Sequence, residues 1–189
     1  MRVLGISGSL RAGSTNSSLL RALGLVAAEP VRVRIYGGLG GLPHFNADLD
    51  VEPGLAPVKE WREELAGARA VVISTPEYAH GLPGSLKNAL DWVVRSGEFY
   101  GKPVAILNAS PRGVYAQEGL REVLTTMGAR VVTEASVTIP LLGTKMSAEE
   151  IAGNGEYAAA LGEALRGLVR GAGVGSGEFF QESGAEVTE

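Results

Sequence analysis

The chain has 189 residues, 45% of them apolar and 20% charged, which suits one globular domain able to bury its own core. With 17 basic against 21 acidic residues the formal charge is −4, the wrong sign for a nucleic-acid or acidic-membrane partner. No cysteine is present, which excludes a disulfide framework, a thiolate metal site and a thiol relay, so redox chemistry here requires a cofactor.

The opening MRVLGISGSL has one early arginine and a short apolar run broken by Gly8 and Ser9. It lacks the pattern of a secretory leader, and no run of about 18 apolar residues follows, so a cytoplasmic chain is expected. Residues Arg2–Ser7 read as a buried parallel strand. A small polar loop comes next, then Leu19, Leu20, Leu23 and Val26 at helical spacing. Val31, Val33 and Ile35 alternate as a second strand, which stops at Gly37 and Gly38. From there to about Gly54 the chain is rich in Gly and Pro, and a long functional or mobile loop is expected.

Val58, Trp61, Leu65 and Ala68 keep helical spacing, and residues Ala70–Ser74 form a third, β-branched strand. Pro83 marks the first turn of a helix carrying Leu86, Leu90 and Val93. Residues 104–109 make a fourth strand, and Leu120, Val123, Leu124 and Met127 belong to a helix ending near Gly128. Residues 131–139 hold the fifth strand. Ile151, Tyr157, Leu161, Leu165 and Leu168 mark a last amphipathic helix. Beyond Arg170 the periodicity fades into Gly, Ser and Glu, so residues 171–189 are expected as a poorly ordered tail behind a domain spanning 1–170. Strands alternating with helices predict an α/β fold, a doubly wound five-stranded parallel sheet with helices on both faces. Strand number and length favour the flavodoxin-like order 2-1-3-4-5 over the longer dinucleotide-binding order.

The loop after the first strand concentrates unusual chemistry. Ser9, Ser14, Thr15 and Ser17 bring hydroxyls, Asn16 an amide and Arg11 a guanidinium, all at the start of a helix whose N–H groups and dipole favour an anion. Helix capping alone needs one such residue and no arginine. Gly8 and Gly13 have the spacing of a triphosphate loop, but Ser14 stands where that motif needs Lys. The dinucleotide fingerprint also fails, because Gly5, Gly8 and Gly13 never form G-x-G-x-x-G and the second strand ends on Tyr36 rather than an acid. A compact monophosphate fits best.

In 2-1-3-4-5 order the loop after the third strand flanks the same crevice. There a flat ring can stack beside Tyr78. Together the two loops resemble the NADPH-dependent FMN reductase family, which includes quinone and azo-dye reductases. Its phosphate loop, G-S-x-R-x-x-S-x-N, is matched by Gly8, Ser9, Arg11, Ser14 and Asn16. Its second signature is matched at Pro76, Glu77 and Tyr78, then at Pro83, Gly84, Leu86, Lys87, Asn88, Ala89, Asp91 and Trp92. His80 replaces the Asn usual in that signature. The segment Ser110-Pro111-Arg112-Gly113 replaces a loop that has more glycines in many members.

The resemblance implies FMN, with its phosphate in the first loop, Pro76, Glu77, Tyr78, Ala79, His80 and Gly81 edging the ring, and Ser110, Arg112 and Gly113 nearby. It also implies NADPH or NADH as electron donor, a small-molecule acceptor, and a homodimer or homotetramer, for which Leu141, Leu142 and Trp92 are apolar candidates. Glu77 reads better as loop geometry than as a proton donor, and His80 as either a flavin neighbour or a solvated residue. His44 reads as solvated, Trp92 as core or interface, and Lys87 with Asp91 as an exposed helical pair. No spacing of His and carboxylates suggests a metal site. An FMN-dependent NAD(P)H oxidoreductase passing electrons to a quinone, azo compound or free flavin is therefore expected. A flavodoxin-type carrier or a flavin-bound sensor without turnover is the alternative; typical carriers are more acidic and lack a phosphate-loop arginine.

Overall fold

The protein is described by a computed structural model over residues 1–141 and 143–173. Most of the expected tail, and Leu142, lie outside the described residues. Apolar, β-branched stretches become the inner strands. β1 (Arg2–Ser7) pairs in parallel with β2 (Arg32–Tyr36) on one side and β3 (Ala70–Ser74) on the other. β4 (Pro103–Asn108) follows β3, and the far edge is shared by β5 (Arg130–Val131) and β6 (Val137–Thr138). The order is 2-1-3-4-5 with a sixth short strand beside β4, the expected flavodoxin-like arrangement.

Successive side chains of a strand point to opposite faces, so each inner strand feeds two cores. Leu4, Ile6, Val71, Ile73 and Ile106 face α2 (Ala56–Ala66), α3 (Gly84–Asp91) and α4 (Val114–Thr126), meeting Trp61, Leu65, Leu86, Leu90 and Leu120. Val3, Val72, Ala105 and Leu107 face α1 (Thr15–Val26), α5 (Ala148–Gly153) and α6 (Gly155–Gly171), meeting Leu19, Leu20, Leu23, Ile151 and Leu161.

Two expected elements are broken. Strand five does not run through 131–139: a single 3₁₀ turn, Thr133–Ala135, separates β5 from β6. The Ser136 hydroxyl accepts from Ile106 N at 3.1 Å and donates to Val132 O at 2.9 Å, so a side chain fills the gap in the ladder. The last helix is split at Asn154, which ends α5 and caps α6 by accepting from Tyr157 N at 3.1 Å. Ala68 and Val93 fall just past the ends of α2 and α3 but remain buried, and Pro83 caps α3 rather than entering it.

The long segment 37–54 is tied to its neighbours rather than loose. Pro43 O accepts from Asn88 Nδ2 at 2.9 Å and from Trp92 Nε1 at 2.8 Å, and Phe45 N donates to Asn88 Oδ1 at 2.7 Å. Asp50 is held by Arg62 at 2.8 Å and, through its carbonyl, by Arg95 at 3.0 Å. Trp92 is buried, which assigns it to the core. Leu141 is buried too, so neither is available to a partner as expected from the sequence.

Tyr36 ends β2 beneath this segment and packs on Trp61 with ring centroids 4.7 Å apart. Burial first, then repulsion from Glu60 and Glu64, pushes its phenol from 10.0 up to about 12. Its unfolded form ionises at the ordinary value, so the stability Tyr36 provides is complete below pH 10 and is lost as pH rises towards about 12. Denaturant unfolding should show wild type losing at most about 3 kcal/mol more than Tyr36→Phe across that window. Equal losses in the two proteins would contradict this.

Candidate functional site

The loops that leave β1, β3 and β4 meet at the carboxyl ends of these strands, where open α/β sheets place their ligand crevice. They enclose a cleft of about 460 Å³, within the size range of small-molecule and cofactor sites. Its floor is set by a close approach. Gly8 N donates to Ser74 O at 2.9 Å, and a Cβ at Gly8 would lie 2.2 Å from Thr75 Oγ1. Only a glycine lets the first loop lie against the third strand here.

In the β1 loop, buried polar groups hold the backbone while other groups stay free. Ser14, and not Thr15 or Asn16, caps α1 by accepting from Ser17 N. Ser17 lies beneath the loop: its hydroxyl donates to Ser7 Oγ at 2.8 Å, and it does not line the cleft. Asn16 Oδ1 accepts from Ser74 Oγ at 2.9 Å, joining β3 to the start of α1. Ser9, Arg11, Ser14, Thr15 and Asn16 do line the cleft. The Arg11 guanidinium is exposed and has no partner among the described residues. Ser17 N and Ser18 N are taken by Ser14, which leaves the N–H groups of Thr15 and Asn16, both lining residues, without an intrahelical acceptor.

The β3 loop contributes Thr75, Pro76, Glu77 and Tyr78 to the lining. Tyr78 and Gly81 exchange backbone hydrogen bonds of 3.0 and 2.9 Å around a tight two-residue turn. Ala79 and His80 sit in it at φ 48° and 59°, the left-handed region that such turns demand and that glycine or asparagine enters most easily. His80 stacks on Tyr115 with ring centroids 4.2 Å apart. Ala79, His80 and Gly81 thus form an outer rim, not the lining. Glu77 Oε2 accepts from Ala116 N at 3.0 Å, capping α4, whose own N-cap Gly113 has no side chain to do so. That contact explains Glu77 as architecture.

The β4 loop adds Asn108, Ala109, Ser110, Arg112 and Gly113, and Gly143 closes the far side. Asn108 Oδ1 accepts from Ser110 N at 3.0 Å and Ser110 Oγ accepts from Arg112 N at 3.2 Å, a chain of side-chain turns that fixes the loop. Thr75, Asn108, Ala109 and Gly143 were not expected from the sequence. The polar turn signal at Asn108-Ala109-Ser110 marks two of them, whereas Gly143 joins only through the path of the chain beyond β6.

Among the described lining residues are two arginines, Arg11 and Arg112, and one carboxylate residue, Glu77. The lining therefore suits an anionic ligand with a flat body: phosphate partners gather at the β1 end, and an exposed aromatic stands on the β3 loop. FMN has this shape and charge. A second cavity of about 260 Å³ opens beside residues 49–55, but its Arg62 is already paired with Asp50 at 2.8 Å. Among the described residues no cluster of His and carboxylates is arranged to hold a metal.

Residues 1–142 match the sequence pattern of the NADPH-dependent FMN reductase family. An NAD(P)H-dependent FMN reductase of Pseudomonas aeruginosa is 40% identical over 145 residues, covering 74% of this chain and 77% of that one. A quinone reductase of Escherichia coli is 36% identical over 140 residues, covering 71% and 74%. A solved flavoenzyme, an NAD(P)H:(acceptor) oxidoreductase from Paracoccus denitrificans, superimposes with a TM-score of 0.69 at 24% identity, covering 88% of this chain and 94% of that one. A flavodoxin, WrbA-like protein from Agrobacterium tumefaciens gives 0.58 at 15%, covering 92% and 98%. Both structures share the fold.

Proposed function

The chain belongs to the NADPH-dependent FMN reductase family, and from that membership we propose that the cleft described above is its FMN site. The protein is an FMN-dependent oxidoreductase that takes electrons from NAD(P)H and passes them to a small-molecule acceptor. Bound FMN would supply the two-electron redox chemistry that links NAD(P)H to the acceptor. The chain's residues bind and orient. Arg11 gives the phosphate charge-assisted bonds, Ser9 and Ser14 offer hydroxyls, and the amides of Thr15 and Asn16 complete the cradle. Pro76, Glu77 and Tyr78 border the ring on one side and Ser110, Arg112 and Gly113 on the other. His80 and Tyr115 form the rim past which donor and acceptor enter.

The observation that carries this reading is the Arg11 guanidinium just before α1, which has no partner among the described residues and lines the same cleft as the exposed Tyr78. Quinones, azo compounds and free flavin are flat and fit an acceptor position over the ring. No helix among the described residues is long and apolar enough to cross a membrane, and a cytoplasmic location is part of the proposal. So is a homodimer or homotetramer, supported by Phe45, Leu49 and Val51, all exposed on segment 37–54, with Leu10 and Val94 exposed as well. Light scattering at micromolar concentration should give a multiple of the 19.6 kDa chain mass, and a monomer would sink that part.

Turnover separates the enzyme from a flavin carrier. NAD(P)H should bleach the bound flavin, and repeated additions of quinone should restore its colour. Bleaching by dithionite but not by NAD(P)H would contradict the assignment. Arg11→Ala tests the phosphate anchor. It should cost FMN about 1.5–3 kcal/mol, roughly 10- to 150-fold in affinity, and leave riboflavin nearly unaffected. Equal losses for the two flavins, or none for either, would show that Arg11 does not hold the phosphate.

A further inference from the structure

Arg11 is one of two arginines among the described residues that line the cleft. The other, Arg112, leaves a different loop, and its surroundings differ. Neighbouring strands lie about 4.8 Å apart, so the loops after β1 and β4, which flank β3, start about 10 Å from each other. The phosphate end is already supplied with Arg11, the hydroxyls of Ser9 and Ser14, and the first amides of α1. Arg112 therefore stands on the side of the cleft left to the ring.

Its backbone is fixed while its charge is free. Arg112 N donates to Ser110 Oγ at 3.2 Å, and Gly113 N donates to Ser110 O at 3.2 Å, which holds the loop. Among the described residues the guanidinium itself has no partner. The lining's one carboxylate, Glu77, makes no ion pair with it and presents Oε2 to Ala116 N. An arginine remains charged at any working pH, so Arg112 brings to the cleft lining a permanent positive charge that no group among the described residues pairs with.

The reaction creates a matching negative charge. Hydride transfer breaks a C–H bond of the reduced nicotinamide and forms an N–H bond on the flavin ring. Two electrons and one proton arrive together, NAD(P)⁺ departs, and the ring gains one unit of negative charge. The acceptor later takes the two electrons, the added N–H proton leaves to the acceptor or to water, and the ring returns to its neutral oxidised state. A nearby cation favours the charged form over the neutral one.

We propose that Arg112 faces the flavin ring and raises the midpoint potential of the bound cofactor by stabilising its anionic reduced form. The proposal rests on the FMN reading of the cleft. Arg112 acts as a tuning residue, distinct from the phosphate anchor on the β1 loop.

The test compares midpoint potentials of bound FMN and bound riboflavin in the full-length wild type, Arg112→Gln and Arg112→Lys. Arg112→Gln should lower the potential by about 30 mV, the equivalent of a tenfold loss of preference for reduced over oxidised flavin in a two-electron couple. The shift should be the same with riboflavin, and Arg112→Lys should recover most of it. Affinity for oxidised FMN should change little. Potentials that do not move would overturn the proposal while leaving the cleft assignment standing. So would a shift seen with FMN but not riboflavin, which would make Arg112 a phosphate ligand. An unchanged potential with a raised KM for NADPH alone would reassign it to the dinucleotide. Failure of the wild type to bind FMN would instead overturn the cleft assignment itself.

Discussion

At Gly8 the loop after β1 runs so close to Thr75 that a methyl group would lie 2.2 Å from its hydroxyl oxygen. Everything around the cleft depends on that approach. It lets Gly8 N reach Ser74 O, and one layer further on it lets Ser74 Oγ reach Asn16 Oδ1 at 2.9 Å. The phosphate-type loop and the aromatic loop thereby share one wall. A bulkier residue would push apart the strands' carboxyl ends where the crevice opens. A second contact works from the opposite side, where Glu77 caps α4 and ties the β3 loop to the β4 loop. Between them, three loops from three strands become one rigid rim, and such rigidity is what allows a fold to position a cofactor.

The residues of the two signatures divide into those that touch the cleft and those that hold it. Arg11, Ser14, Pro76 and Tyr78 line it. Asn88 and Trp92 do not, yet both donate to Pro43 O and so fasten the segment 37–54 to α3. Lys87 and Asp91 form the surface pair their spacing implies, 2.6 Å apart. Exposed pairs of this kind contribute little, so their place in the signature is not explained by stability. The turn at Ala79 and His80 departs from the family pattern at a point where the backbone needs positive φ. Stacking of His80 on Tyr115 holds the turn, which lacks the easier Asn.

Much of this was legible in the chain. Buried strands such as 70–74 show as continuous β-branched runs, and the concentration of hydroxyls with Arg11 marks the anion site because no structural task requires so many. The long-range contacts were hidden. Glu77 and Ala116 are 39 positions apart, and nothing local in either segment announces that one caps the other's helix. The break in the fifth strand was hidden too, because 131–139 has the apolar content of a strand and the interruption depends on where the Ser136 hydroxyl finds its partners. Arg112 sits in a segment with ordinary turn composition. The family resemblance places it near the ring, but that it has no partner among the described residues is visible only in the fold.

A crystal structure of the protein grown with FMN tests the central assignment most directly. The expected result is a phosphate held by Arg11 and the amides at the start of α1, with the ring between residues 76–78 and 108–113. A phosphate bound elsewhere, with Arg11 turned to solvent, would contradict it.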